Sequence, residues 1–297
     1  MTFAALDFPS GRPIVPAAAV ARVRTLPPEA QALVRVNELV RAEQPIARVN
    51  LDGAPTPILA GLTGRIADTQ PTGVTIEGVA TLLHGVLGIG PAVAGPLVTL
   101  PRGESFAVVP IPRGGIILLP QQAPLMLLQR AVTSGAAGVI AASASARELE
   151  SFARADLSLL LDGQGARAAR VPLTIVLTEG LGGYAMRSDV YQALAQRVSS
   201  VVLVSGATDP RRSIRPEIAL PLPPETSARA LPLSYDIENG ARVAVTAGSL
   251  YGQRGQVTHV FARQRHVEPG ILTTCAVVRF EDGTIATAPT FALDRIG

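Results

Sequence analysis

The chain has 297 residues, 47% of them hydrophobic and 4% aromatic with no Trp, and a formal net charge of +3. That length accommodates two or three domains, whose cores must be packed from Val, Leu, Ile and Ala rather than from rings. All 26 basic residues are Arg and the isoelectric point is near 9.6, but so small a net charge does not by itself imply a nucleic-acid partner. Cys275 is the single cysteine, which excludes an internal disulfide framework and a Cys-based zinc site.

Residues 1–30 are read as an N-terminal extension. Their opening, "MTFAALDFPSGRP", lacks a basic start followed by a long apolar run, which argues against a signal peptide. No apolar run reaches the ~18 residues that cross a bilayer, since "GGIILLPQQAPLMLL" is broken by Pro120 and Pro124. A chain without membrane insertion, located in the cytoplasm, is therefore expected.

A first β module is expected over 31–103. "VRVNELVRAEQPIARVNLDGAPTPILAGLTGRI" (34–66) alternates short apolar runs with turn residues, the pattern of small strands. Asn37 sits where a turn wants positive φ, and Asp52-Gly53 marks a hairpin tip. The segment resembles the lipoyl/biotinyl barrel-sandwich hybrid: Val34, Val36, Glu38 and Val40 match its opening, Gln44 to Ala47 its second strand, and Ala60, Gly64 and Ile66 its close. The carrier lysine of that family would fall at 53, where Gly53 stands, and the chain has no Lys at all. Covalent lipoate or biotin is thereby excluded, and no other cofactor is expected. The resemblance then implies only the barrel shape, as in non-carrier subunits of respiratory complexes. His84, among Leu82, Leu83 and Val86, reads as a structural histidine, and Glu77 as a solvated strand position.

A second, α/β module is expected over 104–213. "FAVVPI", "GGIILLP", "AAGVIAAS", "VPLTIVLTEG" and "SSVVLVSGATD" read as strands. Between them, the segments from Pro124 to Gly135, from Ser145 (a cap, with Glu148 three residues on) and over 186–198 read as helices. Strands alternating with helices imply crossovers and a mostly parallel sheet. The run from "SGAAGVI" to "VPLTIV" resembles the DRTGG-type and protease-associated α/β domains. Glu179, Gly180, Gly182 and Gly183, in "TEGLGGYAM" between a strand and a helix, are the candidate anion-binding residues, because backbone N–H groups and a helix N-terminus would face a ligand there. No Lys exists to reach a phosphate, and no serine stands in a nucleophile-elbow context. Asp156 and Asp162 read as polar strand ends, so no catalytic residue and no metal ligand is assigned.

Residues 214–235 are crowded with proline and read as a semi-rigid linker, preceded by the basic cluster Arg211, Arg212 and Arg215. The last module, 236–297, contains "GARVAVTAGSLYGQRGQVTHV". This resembles the KOW motif of NusG-type transcription factors and some ribosomal proteins, through Val243, Val245, Gly248, Gly252, Gly255, Val257 and Val260. Gly255 starts a strand where a side chain would obstruct closure, Asp282-Gly283 is a hairpin tip, and "FALDRI" is a closing strand. The resemblance implies a five-stranded SH3-like barrel. Tyr251, Arg254, His259, Arg263, Arg265 and His266 are its candidate partner-binding residues, suited to stacking and phosphate contacts.

The whole reads as a multidomain protein combining α/β and all-β modules. Its expected role is that of a non-catalytic adaptor contacting RNA, a ribonucleoprotein or polymerase, or another protein through the C-terminal barrel. The alternatives are a small-molecule or anion-binding α/β domain, enzymatic or not, and an accessory subunit of a respiratory or metabolic complex. The sequence leaves homo-oligomerisation open.

Overall fold

The computed structural model describes residues 14–51, 54–101, 110–157, 171–208, 214–228, 237–245, 249–250, 252–267 and 271–295. They fall into two compact units, one within Ile14–Ala230 and one within Leu231–Gly297. The expected hairpin tip Asp52-Gly53, most of the 106–111 strand, Asp162, Arg211, Arg212, Gly248 and Tyr251 lie outside the described residues.

The large unit is strand-rich. β1 (Val15–Thr25), β2 (Gln31–Ala32), β3 (Leu39–Val40), β4 (Pro45–Leu51), β5 (Ala54–Leu59), β6 (Gly64–Gln70), β7 (Gly73–His84), β8 (Leu87–Ile89) and β9 (Ala92–Thr99) come first. β10 (Ile116–Gln122), α1 (Leu125–Thr133), β11 (Gly138–Ala144), α2 (Ala146–Ala153), β12 (Thr174–Leu181), α3 (Ser188–Ala195), β13 (Val201–Ser205) and β14 (Glu217–Pro221) follow. β2, β4 and β5 form a small three-stranded sheet, and the rest join one large mixed sheet in the order β3-β6-β7-β14-β13-β9-β10-β11-β12-β8, with β1 also on β7. The expected turn at Asn37 is present, with φ 70°.

Among the described residues only β9-β10-β11-β12 pair in parallel; β13 runs antiparallel to β9, and β8 antiparallel to β12. The segments expected as separate modules, 31–103 and 104–213, therefore hydrogen-bond into one sheet, which is mixed rather than mostly parallel. β7 is the hinge of that arrangement. It is 12 residues long: β1 covers one edge from Val15 opposite Leu82 to Thr25 opposite Gly73. The other edge is shared end to end, by β6 over Gly73–Gly78 and by β14 over Ala80–His84. β14 lies in the stretch read as a linker. Its prolines bracket a buried Ile218-Ala219-Leu220 core instead of interrupting it, and the Gly85 N–H donates to Pro216 O at 2.8 Å. At the far end of the sheet, the Gly88 N–H donates to the buried Thr208 hydroxyl, 2.9 Å away, so β8 returns to the chain that links β13 and β14.

The parallel strands carry continuous apolar runs because both faces are covered. Ile116, Leu118, Ile140, Ala142 and Val176 share a core cluster with Met186, Val190 and Leu194, the last two from α3. α1 buries Leu127, Leu128 and Ala131. The expected cap at Ser145 is present: its hydroxyl accepts the Glu148 N–H at 3.4 Å. Arg24, only 4% exposed, donates Nε to Leu59 O (3.3 Å) and Nη1 to Ala92 O (2.9 Å), tying β1 to β5 and β9. Burial pushes this guanidinium down to about 10, still charged at neutral pH.

The C-terminal unit contains β15 (Arg242–Val245), β16 (Arg254–Val260), β17 (Arg265–Val267), β18 (Ile271–Thr273), β19 (Cys275–Phe280), β20 (Ile285–Pro289) and β21 (Leu293–Arg295). Five of them make an antiparallel sheet in the order β20-β19-β16-β15-β21, and β17 and β18 pair as a separate ribbon. One face is apolar: Val243, Val245, Val257, Ala276, Val278, Phe280 and Leu293 form its core. Gly255 explains the close approach of β16 to β19, because a Cβ there would stand 2.4 Å from Arg279 O. The expected tip at Asp282-Gly283 is present. Gly283 takes φ 84°, and Thr284 donates its N–H (2.9 Å) and its hydroxyl (2.6 Å) to Asp282 Oδ1. Those bonds, the hydroxyl's first, hold the Asp282 carboxyl below the usual carboxylate range.

Candidate functional site

β16 presents two of the expected partner-binding residues at opposite ends. Arg254 opens the strand and is exposed; His259 lies five positions on, about 17 Å away at the rise of an antiparallel strand. Strict alternation from the buried Val257 would turn His259 inward. The pairing with β19 shifts register between Val257 and His259, and this bulge re-aims the imidazole to solvent, where it is exposed.

Phe261 follows directly, anchored by its own N–H to Cys275 O at 3.0 Å. Its ring meets that of His259 edge-on, with centroids 5.0 Å apart and an interplanar angle of 83°. On the same ring sits the guanidinium of Arg265, 3.7 Å from the centroid. A cation–π contact at an exposed site contributes roughly 0.5–1 kcal/mol, and an aromatic edge contact a comparable amount, enough to preorder a stack of Arg265, Phe261 and His259. Phe261 was missing from the expected set. The signal for it was local, in "HVFARQRH", where one ring stands between two histidines and two arginines.

The other candidates separate from this stack. Arg263 is exposed in the turn between β16 and β17. His266 follows Arg265 on β17, and successive strand residues face opposite ways, so it points off the other side of the ribbon. Among the described residues, Arg254, Arg263 and Arg265 make no ion pair, whereas Arg295 reaches Glu238 at 2.7 Å. Burial pushes the Cys275 thiol up, against the pull of nearby Arg265.

The second candidate region is organised differently. Glu179 and Gly180 are part of β12 rather than of the loop, Gly180 lying opposite Ser143. Beyond them three backbone donors are bonded within the fold: Gly182 N–H to Ala144 O (2.9 Å), Tyr184 N–H to the buried Ser143 Oγ (3.0 Å) and Met186 N–H to Pro120 O (2.9 Å). Arg187 N–H reaches Glu179 Oε1 at 3.4 Å, which makes Glu179 an acceptor within the fold. Gly183 is exposed. The first turn of α3 already holds an anion, Asp189, which accepts the Val190 N–H (2.9 Å) and pairs with Arg187 (2.6 Å). Burial opposes ionisation of Asp189, but the Arg187 guanidinium outweighs it and holds the carboxyl below its ordinary range.

Among the described residues no group of three His, Cys, Asp or Glu side chains could hold a metal ion, and no helix is long and apolar enough to cross a membrane. Glu77 pairs with Arg65 at 3.2 Å. No family model, curated protein or solved structure matches the chain.

Proposed function

We propose that the chain is a non-catalytic, multi-module binding protein whose C-terminal unit, read as a KOW-like SH3-type barrel, docks on RNA or a ribonucleoprotein. In that reading the large unit is a scaffold combining a barrel-sandwich-like β part with an α/β layer. The supporting observation is the exposed stack of Arg265 on Phe261 beside His259, in which Arg265 pairs with no carboxylate among the described residues. A flat ring with a cation over it offers an unpaired base a stacking surface and its phosphate a counter-charge.

The Gly-rich segment 178–186 supports an anion-binding reading less well, because the amides of Gly182, Tyr184 and Met186 are bonded to Ala144, Ser143 and Pro120. The test is fluorescence anisotropy of the full chain with a labelled single-stranded oligoribonucleotide at low and moderate salt. Saturable, salt-sensitive binding is expected, weakened about tenfold by Phe261→Ala, which removes one stacking partner. Binding indifferent to Phe261→Ala and Arg265→Ala would overturn the RNA reading of this surface. Absence of binding at low salt would leave an acidic protein segment as the partner.

A further inference from the structure

The large unit contains a groove of about 520 Å³ that none of the residues discussed so far explains. One wall is the turn after β3, with Arg41 and Glu43. The other is the connection from α3 to β13, with Arg197, Ser199 and Ser200. Thr63 lies between them, and the end of β14 supplies an apolar flank.

The walls are built rather than incidental. Ser199 adopts φ 71°, a left-handed conformation that a non-glycine residue takes only when its surroundings impose it. Here they do: the Ser199 N–H donates to Leu97 O (2.8 Å) and Ser200 O accepts from the Leu97 N–H (2.9 Å), locking both serine backbones to β9. Both residues are exposed at the groove. Across the groove, Ala42 N–H donates to Thr63 Oγ1 at 3.2 Å, which fixes the turn and leaves the threonine O–H able to donate.

The charges are unbalanced. Among the described residues neither the Arg41 nor the Arg197 guanidinium has a hydrogen-bond or ion-pair partner, and Glu43 has none either. Two cations and three hydroxyls thus share the groove with one carboxylate. Elsewhere in this unit Arg65 pairs with Glu77 and Arg187 with Asp189, whereas the groove brings two unpaired guanidinium groups to one concavity. Guanidinium groups match oxyanions bidentately, and hydroxyl donors complete their coordination. The volume exceeds what an inorganic anion fills and falls within the range of drug-sized ligands, which favour junctions between substructures.

We infer that this groove binds a small organic molecule through an oxyanion head group held by Arg41 and Arg197, with its apolar body against the end of β14. The site is separate from the C-terminal stack and does not depend on it. The head group is a phosphate or a carboxylate, which share this donor set.

The test is isothermal titration of the full chain with inorganic phosphate, pyrophosphate and citrate at constant ionic strength, repeated on Arg41→Gln, Arg197→Gln, the double variant and Arg265→Ala. One-to-one saturable binding of at least one anion is expected, weakened at least ~10-fold by loss of either groove guanidinium and unchanged in Arg265→Ala. Preference for phosphate or pyrophosphate over citrate identifies a phosphate head group; the reverse identifies a carboxylate. Far-UV circular dichroism and melting of the Gln variants check the fold, and the exposed position of Arg41 makes its variant the safer of the two. No saturable binding below ~10 mM of any probe, or binding undiminished in the double variant, overturns the inference. So does an RNA oligonucleotide whose affinity falls in the double variant, because the groove would then belong to a nucleic-acid surface.

Discussion

Residues 178–187 of the large unit and 259–265 of the C-terminal unit are both short segments at strand ends, each a candidate binding region, and the fold treats them in opposite ways. In the first, the amides of Gly182, Tyr184 and Met186 are bonded internally and Asp189 already occupies the start of α3. In the second, Arg265 rests on Phe261 with no ion pair among the described residues. The difference follows from what lies beneath. The loop closes over the ends of parallel strands buried on both faces, where backbone groups need partners from the chain itself. The C-terminal sheet buries one face only, so its ladder satisfies the backbone and its outer side chains are left to solvent. A glycine-rich turn over a buried layer is therefore weaker support for a ligand site than a plain strand end carrying a ring and an arginine.

The contrast can be tested hardest at Gly255. Valine there would drive a side chain into Arg279 O, 2.4 Å from the Cβ position, and is expected to destabilise the C-terminal sheet by about 4 kcal/mol. Urea unfolding followed by circular dichroism would show a low-denaturant transition confined to that unit. A variant as stable as the parent would mean that β16 and β19 do not approach so closely.

Next in size is a pH effect in the large unit, which buries what it titrates. Burial pushes the His84 imidazole down to about 4, with Arg215 and Arg22 acting the same way against Glu217. A base depressed by folding stabilises the native state fully above its unfolded value near 6.5, and that contribution is lost as pH falls through the folded value. A loss of about 3 kcal/mol between about pH 7 and pH 4 is expected. His84→Gln should flatten unfolding free energies measured across that range, and an unchanged slope would show that other groups carry the dependence. The smallest effect belongs to Ser145→Ala, which frees the Glu148 N–H at the start of α2 and should cost about 1 kcal/mol in the same unfolding assay.

What the sequence discloses here is mostly local. The cap at Ser145, the left-handed Asn37 and the tip at Asp282-Gly283 each follow from residues within a few positions of one another, and each is present. The pairing of distant strands is not local. Nothing in "RPEIALPLPPE" announces that Glu217–Pro221 will lie along β7, since the prolines that suggest a linker fall at the ends of the strand. The site divides the same way. His259 and Arg265 stand out by residue type, but their meeting on Phe261 depends on a bulge and on the turn into β17, which no spacing rule encodes.

The shared edge of β7 determines how the large unit can be cut. A fragment ending ahead of Glu217 would leave Ala80–His84 with bare N–H and C=O groups along one side, an open template for pairing with another copy. Dissection between 101 and 110, where the sequence changes character, would therefore yield pieces that aggregate rather than fold. Productive truncations should keep Ile14–Ala230 whole.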